Sequence, residues 1–244
     1  MEKSVIIHHP FALALETSGR IGSVSVGMGQ NLSDEKTFSA PLRHSAELFD
    51  TIINLLKNLN KKPNQIEHIY ISMGPGSFTG IRISVAVAKM MALASQTKIV
   101  AVSTTDAMAL NITDNNISRI AAVIDAKRNQ FFIAVFEKQN GSWQKVLADC
   151  MLTAEEFKEQ FDRPEAPIWL LGEGLLYYAE KFETDNIKIL DQQYWSPRAG
   201  NVFRVGAKMA LEGKFSDPVS LVPFYLRRTE AEENWEARQT DSMG

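Results

Sequence analysis

A hairpin signature that occurs twice constrains this chain more than anything else in it. Phe11 to Leu15 (FALAL) is a continuous apolar run ending in Glu16-Thr17-Ser18-Gly19, and Ile21 to Val26 (IGSVSV) then alternates apolar and small residues. About 109 residues later the design returns: Ile120 to Ile124 (IAAVI) ends in Asp125, Ala126 to Asn129 make a polar turn, and Gln130 to Phe136 (QFFIAVF) alternates again. An unbroken apolar run reads as a buried strand and the alternating run as its hairpin partner. The repeat implies similar lobes, each opened by a hairpin and continued by strand–helix units, with Glu16 and Asp125 in equivalent places.

The segments between fit that plan. Glu35 to Ala40 adds a third strand, after which the period changes to helical over His44 to Leu59, closed by Pro63. Two apolar tracks share this helix, Leu48, Ile52, Leu55 and Leu59 on one and Ala46, Phe49, Ile53 and Leu56 on the other, a wider arc than a one-sided helix needs. His68 to Met73 is a strand, Gly74 to Gly80 (GPGSFTG) a loop, and Thr79 to Ser95 a helix interrupted only by Arg82, Ser84 and Lys89. Such a helix is either sandwiched between a sheet and a neighbour or meets a partner. A strand over Lys98 to Val102 and a short helix over Thr105 to Leu110 precede the polar stretch NITDNNISR, which marks a lobe boundary. The expected division is 1–110, a reduced lobe 111–228 and a polar tail 229–244. In the second lobe the pattern predicts helices over Ala154–Phe161, Glu173–Phe182 and Ala199–Glu212, strands over Ile168–Leu171 and Ile187–Leu190, and an extended segment over Asp217–Leu226. The helix over 198–213 is expected to pack back on the first lobe.

Composition narrows the function. The chain has 244 residues, 45% hydrophobic and 23% charged, with a net charge of −3, which gives it a sizeable core and no broad basic face for gripping a polyanion. One cysteine, Cys150, makes neither an internal disulfide nor a thiolate metal cluster, and reads as a small buried hydrophobe. Val5 to Ile7 is too short for a signal sequence, and no later stretch approaches the ~20 apolar residues of a membrane span. The expected location is the cytoplasm, away from any membrane.

Blocks in a fixed order then become specific: ETSG with SVSVG, RHSAELFDTIINLL, SMGPGSFTGIRISVAVAKMMALA, VSTTDAMA, VIDAKRNQFFIAVF and VPFYLRR. In this order they resemble the TsaB/YeaZ family from about Leu13 to Arg227, most sharply at GPGSFTGIR, Gly74 to Arg82. The resemblance implies an α/β fold of two actin-like, ribonuclease H-like lobes with mixed sheets flanked by helices. It also implies a subunit without catalysis of its own that binds and activates a TsaD-type enzyme forming threonylcarbamoyladenosine in tRNA. Further implied are a TsaE-type ATPase reached through that complex, tRNA met only indirectly, and a homodimer when the chain is alone. The implied pairing runs through the helices His44–Leu59 and Thr79–Ser95, with His44, Ser45, Leu48, Phe49, Ile52, Leu55, Leu56, Arg82, Ser84, Val87, Ala88 and Met91 at the interface. The chain departs from the family pattern with Glu16 for an aspartate and with Ser84 and Met90 near glycine positions.

Actin-like ATPases need acids at the hairpin ends for metal-bound water and glycine-rich turns facing phosphates. Glu16, Thr17, Ser18, Gly74, Gly76, Ser77 and Asp125 stand where those parts would sit. They read as an inherited turn scaffold with no resident cofactor, ATP or ADP binding at most weakly or at a partner interface. The alternative is an active small-molecule kinase or ATPase using Glu16, the GPGSFTG loop and Asp125 with Mg²⁺. No two of His8, His9, His44 and His68 have the His-x-x-x-His spacing, so no metal site is expected. Ser77 lies outside a G-x-S-x-G elbow and no histidine follows His68, which opposes a serine hydrolase. His44 with Ser45 reads as helix capping and interface.

Overall fold

The computed structural model describes residues 8–224. It holds two five-stranded mixed sheets flanked by helices, the architecture the repeat implies. In the first, β1 (Phe11–Glu16), β2 (Ser23–Met28) and β3 (Asn31–Thr37) form an antiparallel meander, and β1 also pairs in parallel with β4 (His68–Ser72), which pairs with β5 (Lys98–Val102). In the second, β6 (Arg119–Asp125), β7 (Phe131–Gln139) and β8 (Ser142–Leu152) repeat the meander, and β6 is followed sideways by β9 (Ile168–Leu171) and β10 (Ile187–Ile189). Glu16 and Asp125 both end the central strand of a sheet.

Phe11–Leu15 of β1 and Ile120–Ile124 of β6 are apolar without a break because both faces of each sheet are covered. On the first sheet, Leu13, Leu15, Val24, Val26, Ile69 and Ile71 pack under α1 (His44–Asn58) and α2 (Phe78–Ser95). On its other face, Ala12, Ala14, Tyr70 and Val100 meet Val202, Phe203 and Ala207 of α6 (Ala199–Leu211), so the last helix lies on the first sheet. Gly206 permits that approach, since a Cβ there would stand 2.4 Å from the Tyr70 ring. Burial pushes the Tyr70 phenol up to about 12. The short helix α3 (Thr104–Ala109) is shared, Ala107 packing with the first sheet and Met108 and Ala109 with Ile120, Ala122 and Phe136 of the second. The second sheet's remaining face is closed by α4 (Ala154–Phe161), held by a Thr153–Glu156 capping box, and α5 (Ala179–Phe182) around Phe131, Phe157 and Phe182.

Four local expectations need correction. The third strand is Asn31–Thr37, beginning four residues before the expected start at Glu35. An eleven-residue edge strand, β8, fills a stretch the apolar pattern leaves blank; its inward residues are only half-buried and its faces carry Lys145 and Asp149. The helix expected over Glu173–Phe182 is a 3-10 turn, Glu173–Leu176, followed by α5, with Tyr177 and Tyr178 between them at φ −121 and −134. By length and composition α2 could cross a membrane, although no such stretch is apparent as an unbroken apolar run. Its Ile81, Val85, Val87 and Ala88 lie instead in the first core. The closing segment bridges Ser216 to Ile99 and donates Phe224 N–H to the Met73 carbonyl at 3.1 Å. The last two residues of the expected extended segment, Arg227, Arg228 and the tail 229–244 lie outside the described residues.

Candidate functional site

The hairpin turns and the glycine loops that face them form the candidate site. Glu16 is fully buried. Its Oε1 accepts Ser18 N–H and the Ser18 hydroxyl, each at 2.6 Å, and Gly19 N–H at 3.2 Å, while Oε2 is bonded by the Ser72 hydroxyl of β4. Burial pushes this carboxyl above its ordinary value, and the same hydrogen bonds pull it back down. Thr17 donates its hydroxyl to the Gly80 carbonyl at 2.7 Å, and Thr104 donates to the Ser18 hydroxyl at 3.0 Å.

Helix α2 is driven hard against this turn. Ser77 caps the helix, its oxygen accepting Gly80 N–H at 3.3 Å, and its own N–H donates to the Ser18 carbonyl at 2.7 Å. A Cβ on Gly80 would stand 1.8 Å from the Thr17 carbonyl oxygen, and one on Gly76, where φ is +156, 2.6 Å from the Ser18 oxygen. Glycine is required at both by contact with backbone. Gly74, at φ +104, begins the same bend.

Asp125 repeats the arrangement in the second sheet. Its Oδ1 accepts Lys127 N–H at 2.7 Å and its Oδ2 pairs with the Lys127 ammonium at 2.6 Å. The turn that follows holds Lys127, Arg128 and Asn129 in the left-handed region.

The sequence reading missed Glu173. It lies after β9 in Gly172-Glu173-Gly174, the counterpart of Gly74-Pro75-Gly76 after β4, and extending the repeat past its hairpins would have found it. Glu173 crosses between the sheets: Oε2 accepts Arg20 N–H at 2.8 Å and Oε1 accepts the Ser196 hydroxyl at 2.8 Å. The space bounded by Ser18, Gly19, Thr104, Met108, Ile124, Glu173, Trp195 and Pro197 leaves about 20 Å³, room for a water molecule. Ligand pockets run to hundreds of Å³. The N–H groups of Ser18, Gly19, Arg20 and Ser77 and the carboxylates of Glu16, Asp125 and Glu173 are bonded within the chain, so a nucleotide with its metal would have to displace those bonds. Among the described residues no group of His, Cys, Asp and Glu is arranged to hold a metal ion. Cys150 is half-buried rather than buried, with its thiol pushed up by desolvation.

The expected interface residues divide sharply. His44, Leu48, Ile52, Leu55, Leu56, Ser84, Val87 and Ala88 are buried inside the chain, and Met91 packs partly against the same core. In the chain by itself these side chains pack toward the first sheet, with Met91 left partly exposed beside them. Ser84 instead donates its hydroxyl to the Ile81 carbonyl at 3.0 Å. His44 donates Nε2–H to the Gly19 carbonyl at 3.0 Å, and its Nδ1 is buried with no hydrogen-bond partner among the described residues. Burial lowers its pKa. Ser45, Phe49 and Arg82 are exposed, Arg82 over the Phe78 ring. Among the described residues, the exposed large apolar side chains of these two helices are Phe49 and Ile53 of α1 and Met90 and Leu93 of α2, the last 84% exposed.

Comparison with known proteins places these features in a family. The family model described as "TsaD: tRNA N6-adenosine threonylcarbamoyltransferase" matches residues 39–235. The tRNA threonylcarbamoyladenosine biosynthesis protein TsaB of Bacillus subtilis is 26% identical over 226 residues, covering 91% of this chain and 96% of that one. Its Escherichia coli namesake is 25% identical over 193 residues, covering 78% and 84%. The structure of YeaZ from Pseudomonas aeruginosa superposes with a TM-score of 0.75 at 23% identity, over 89% of this chain and all of that one. The chain belongs to the TsaD family and, within it, to the TsaB/YeaZ group.

Proposed function

We propose that this chain serves tRNA threonylcarbamoyladenosine biosynthesis as a partner subunit without catalysis of its own, binding and activating a TsaD-type enzyme. The observation that carries the reading is the contrast between its two surfaces. Glu16, Asp125 and Glu173 are bonded within the chain, while Phe49, Ile53, Met90 and Leu93 stand exposed on adjacent helices. An apolar face of that kind is costly to leave in water and marks a protein contact. In this reading α1 and α2 meet the enzyme, and a second copy of the chain covers the same face when the enzyme is absent. A TsaE-type ATPase and the tRNA are reached through that complex, in the cytoplasm, and the lobes divide at 1–110 and 111–228. Reconstitution tests it: a TsaD-type enzyme with a TsaE-type ATPase, threonylcarbamoyl donor and tRNA gains activity when the chain is added. Modification that proceeds equally without the chain, or ATP hydrolysis by the chain alone, contradicts the proposal.

A further inference from the structure

The N–H groups of Ser18, Gly19 and Arg20 follow one another along the β1–β2 turn, and each is taken by a carboxylate. Glu16 takes those of Ser18 and Gly19 from within the first lobe, whereas Glu173 takes that of Arg20 from the second. Hydrogen bonds from N–H to an ionised carboxylate are stronger than neutral ones, so this contact ties the two sheets at a point beyond the shared helix α3. Its surroundings are built to hold it. Ser196 fixes the other oxygen of Glu173, the Arg20 guanidinium donates to the Tyr177 hydroxyl at 3.3 Å, and Gly19 lies so close to Pro197 that a Cβ there would stand 3.0 Å from the proline ring.

The same turn has a second attachment. The Gly19 carbonyl, in the peptide unit whose N–H is that of Arg20, accepts Nε2–H of His44, the first residue of α1. The path from Glu173 to α1 is thus one peptide group long. We infer that Glu173 is a positioning latch: its carboxylate clamps the second lobe onto the Gly19–Arg20 peptide and so sets where the first turn of α1 sits. The exposed Phe49 and Ile53 lie one and two turns further along that helix. Lobe closure and the placement of this apolar face are therefore linked through a single peptide group. The latch stands whether or not that face meets a TsaD-type enzyme, so its failure and the failure of the proposed function are separate results.

Amide hydrogen exchange on the whole chain reads the latch directly. Glu173→Ala should speed exchange at Arg20 by about tenfold or more, and at Glu47 and Leu48 in the same direction, while Ile133 and Val135 of β7 keep their protection. Glu173→Gln keeps an acceptor oxygen at the same reach and should return Arg20 to within about threefold of its native rate. If the alanine variant also loses the β7 protection, Glu173→Met, of similar bulk and without an oxygen, is read at the same amides. Unchanged protection at Arg20, faster exchange there with Glu47 and Leu48 unaffected, or a glutamine variant as fast as the oxygen-free one would each overturn the inference.

Discussion

Glu16 and Asp125 end equivalent strands, and each accepts the backbone N–H two residues ahead of it, from Ser18 at 2.6 Å and from Lys127 at 2.7 Å. The two lobes thus keep the same turn chemistry, but their second partners differ. Glu16 is buried under α2 and bonded by Ser72, while Asp125 is paired with an exposed lysine. Removing either acid should therefore cost very different amounts.

Glu16→Ala strands the donors of Ser18, Gly19 and Ser72 in a dry site and should destabilise the chain by about 3 kcal/mol, measured by urea unfolding. Glu16→Gln keeps one acceptor oxygen and should cost roughly half of that. Asp125→Ala, on a partly exposed turn, should cost no more than about 1 kcal/mol. Equal losses at the two positions would contradict the burial argument.

Leu48 and Phe49 are neighbours on α1 with opposite surroundings, Leu48 wholly buried and Phe49 52% exposed. Leu48→Asp places an unpaired charge in the core and should cost about 4 kcal/mol or more, whereas Phe49→Asp should stay within about 1 kcal/mol. Thermal melts of the isolated variants decide it. Loss of folding in Phe49→Asp would mean that this side chain is part of the chain's own core.

His44 gives the stability a pH dependence of defined sign. Its pKa in the folded chain is lowered by burial, ahead of the opposing Gly19 hydrogen bond and the charge of Glu173. The unfolded chain therefore takes up a proton first as pH falls below about 6.5, and stability declines from there until the folded His44 also titrates. His44→Gln, which keeps a donor for the Gly19 carbonyl, should flatten the wild-type loss between neutral and mildly acid pH. The difference in melting temperature between the two proteins, followed across that window, should shrink toward acid. A constant difference removes His44 from the account.

Much of this architecture was legible in the sequence, for a physical reason. Strands buried on both faces must be unbroken apolar runs, and two such runs ending in Glu16 and Asp125 betray the duplicated sheet. Edge strand β8 was not legible, because a strand whose inward residues are half-buried needs no strict alternation. Which track of α1 faces inward was also hidden. Both tracks are apolar, and only the position of the sheet decides that Leu48 and Leu55 are core while Phe49 and Ile53 are surface. Glu173 escaped because an acid between glycines in a loop has no periodicity to mark it; carrying the repeat past its hairpins singles out the position, and its role appears once the second lobe is folded against Arg20.

We propose that the outer face of α1 and α2 is the working surface of this chain. Size-exclusion chromatography of the chain mixed with a TsaD-type enzyme, comparing wild type with the exposed-face variant Ile53→Asp/Leu93→Asp, tests it most directly. Wild type should form a stable heterodimer and the variant none, with a native melting profile for both chains. A variant that still binds the enzyme as tightly as wild type would contradict it.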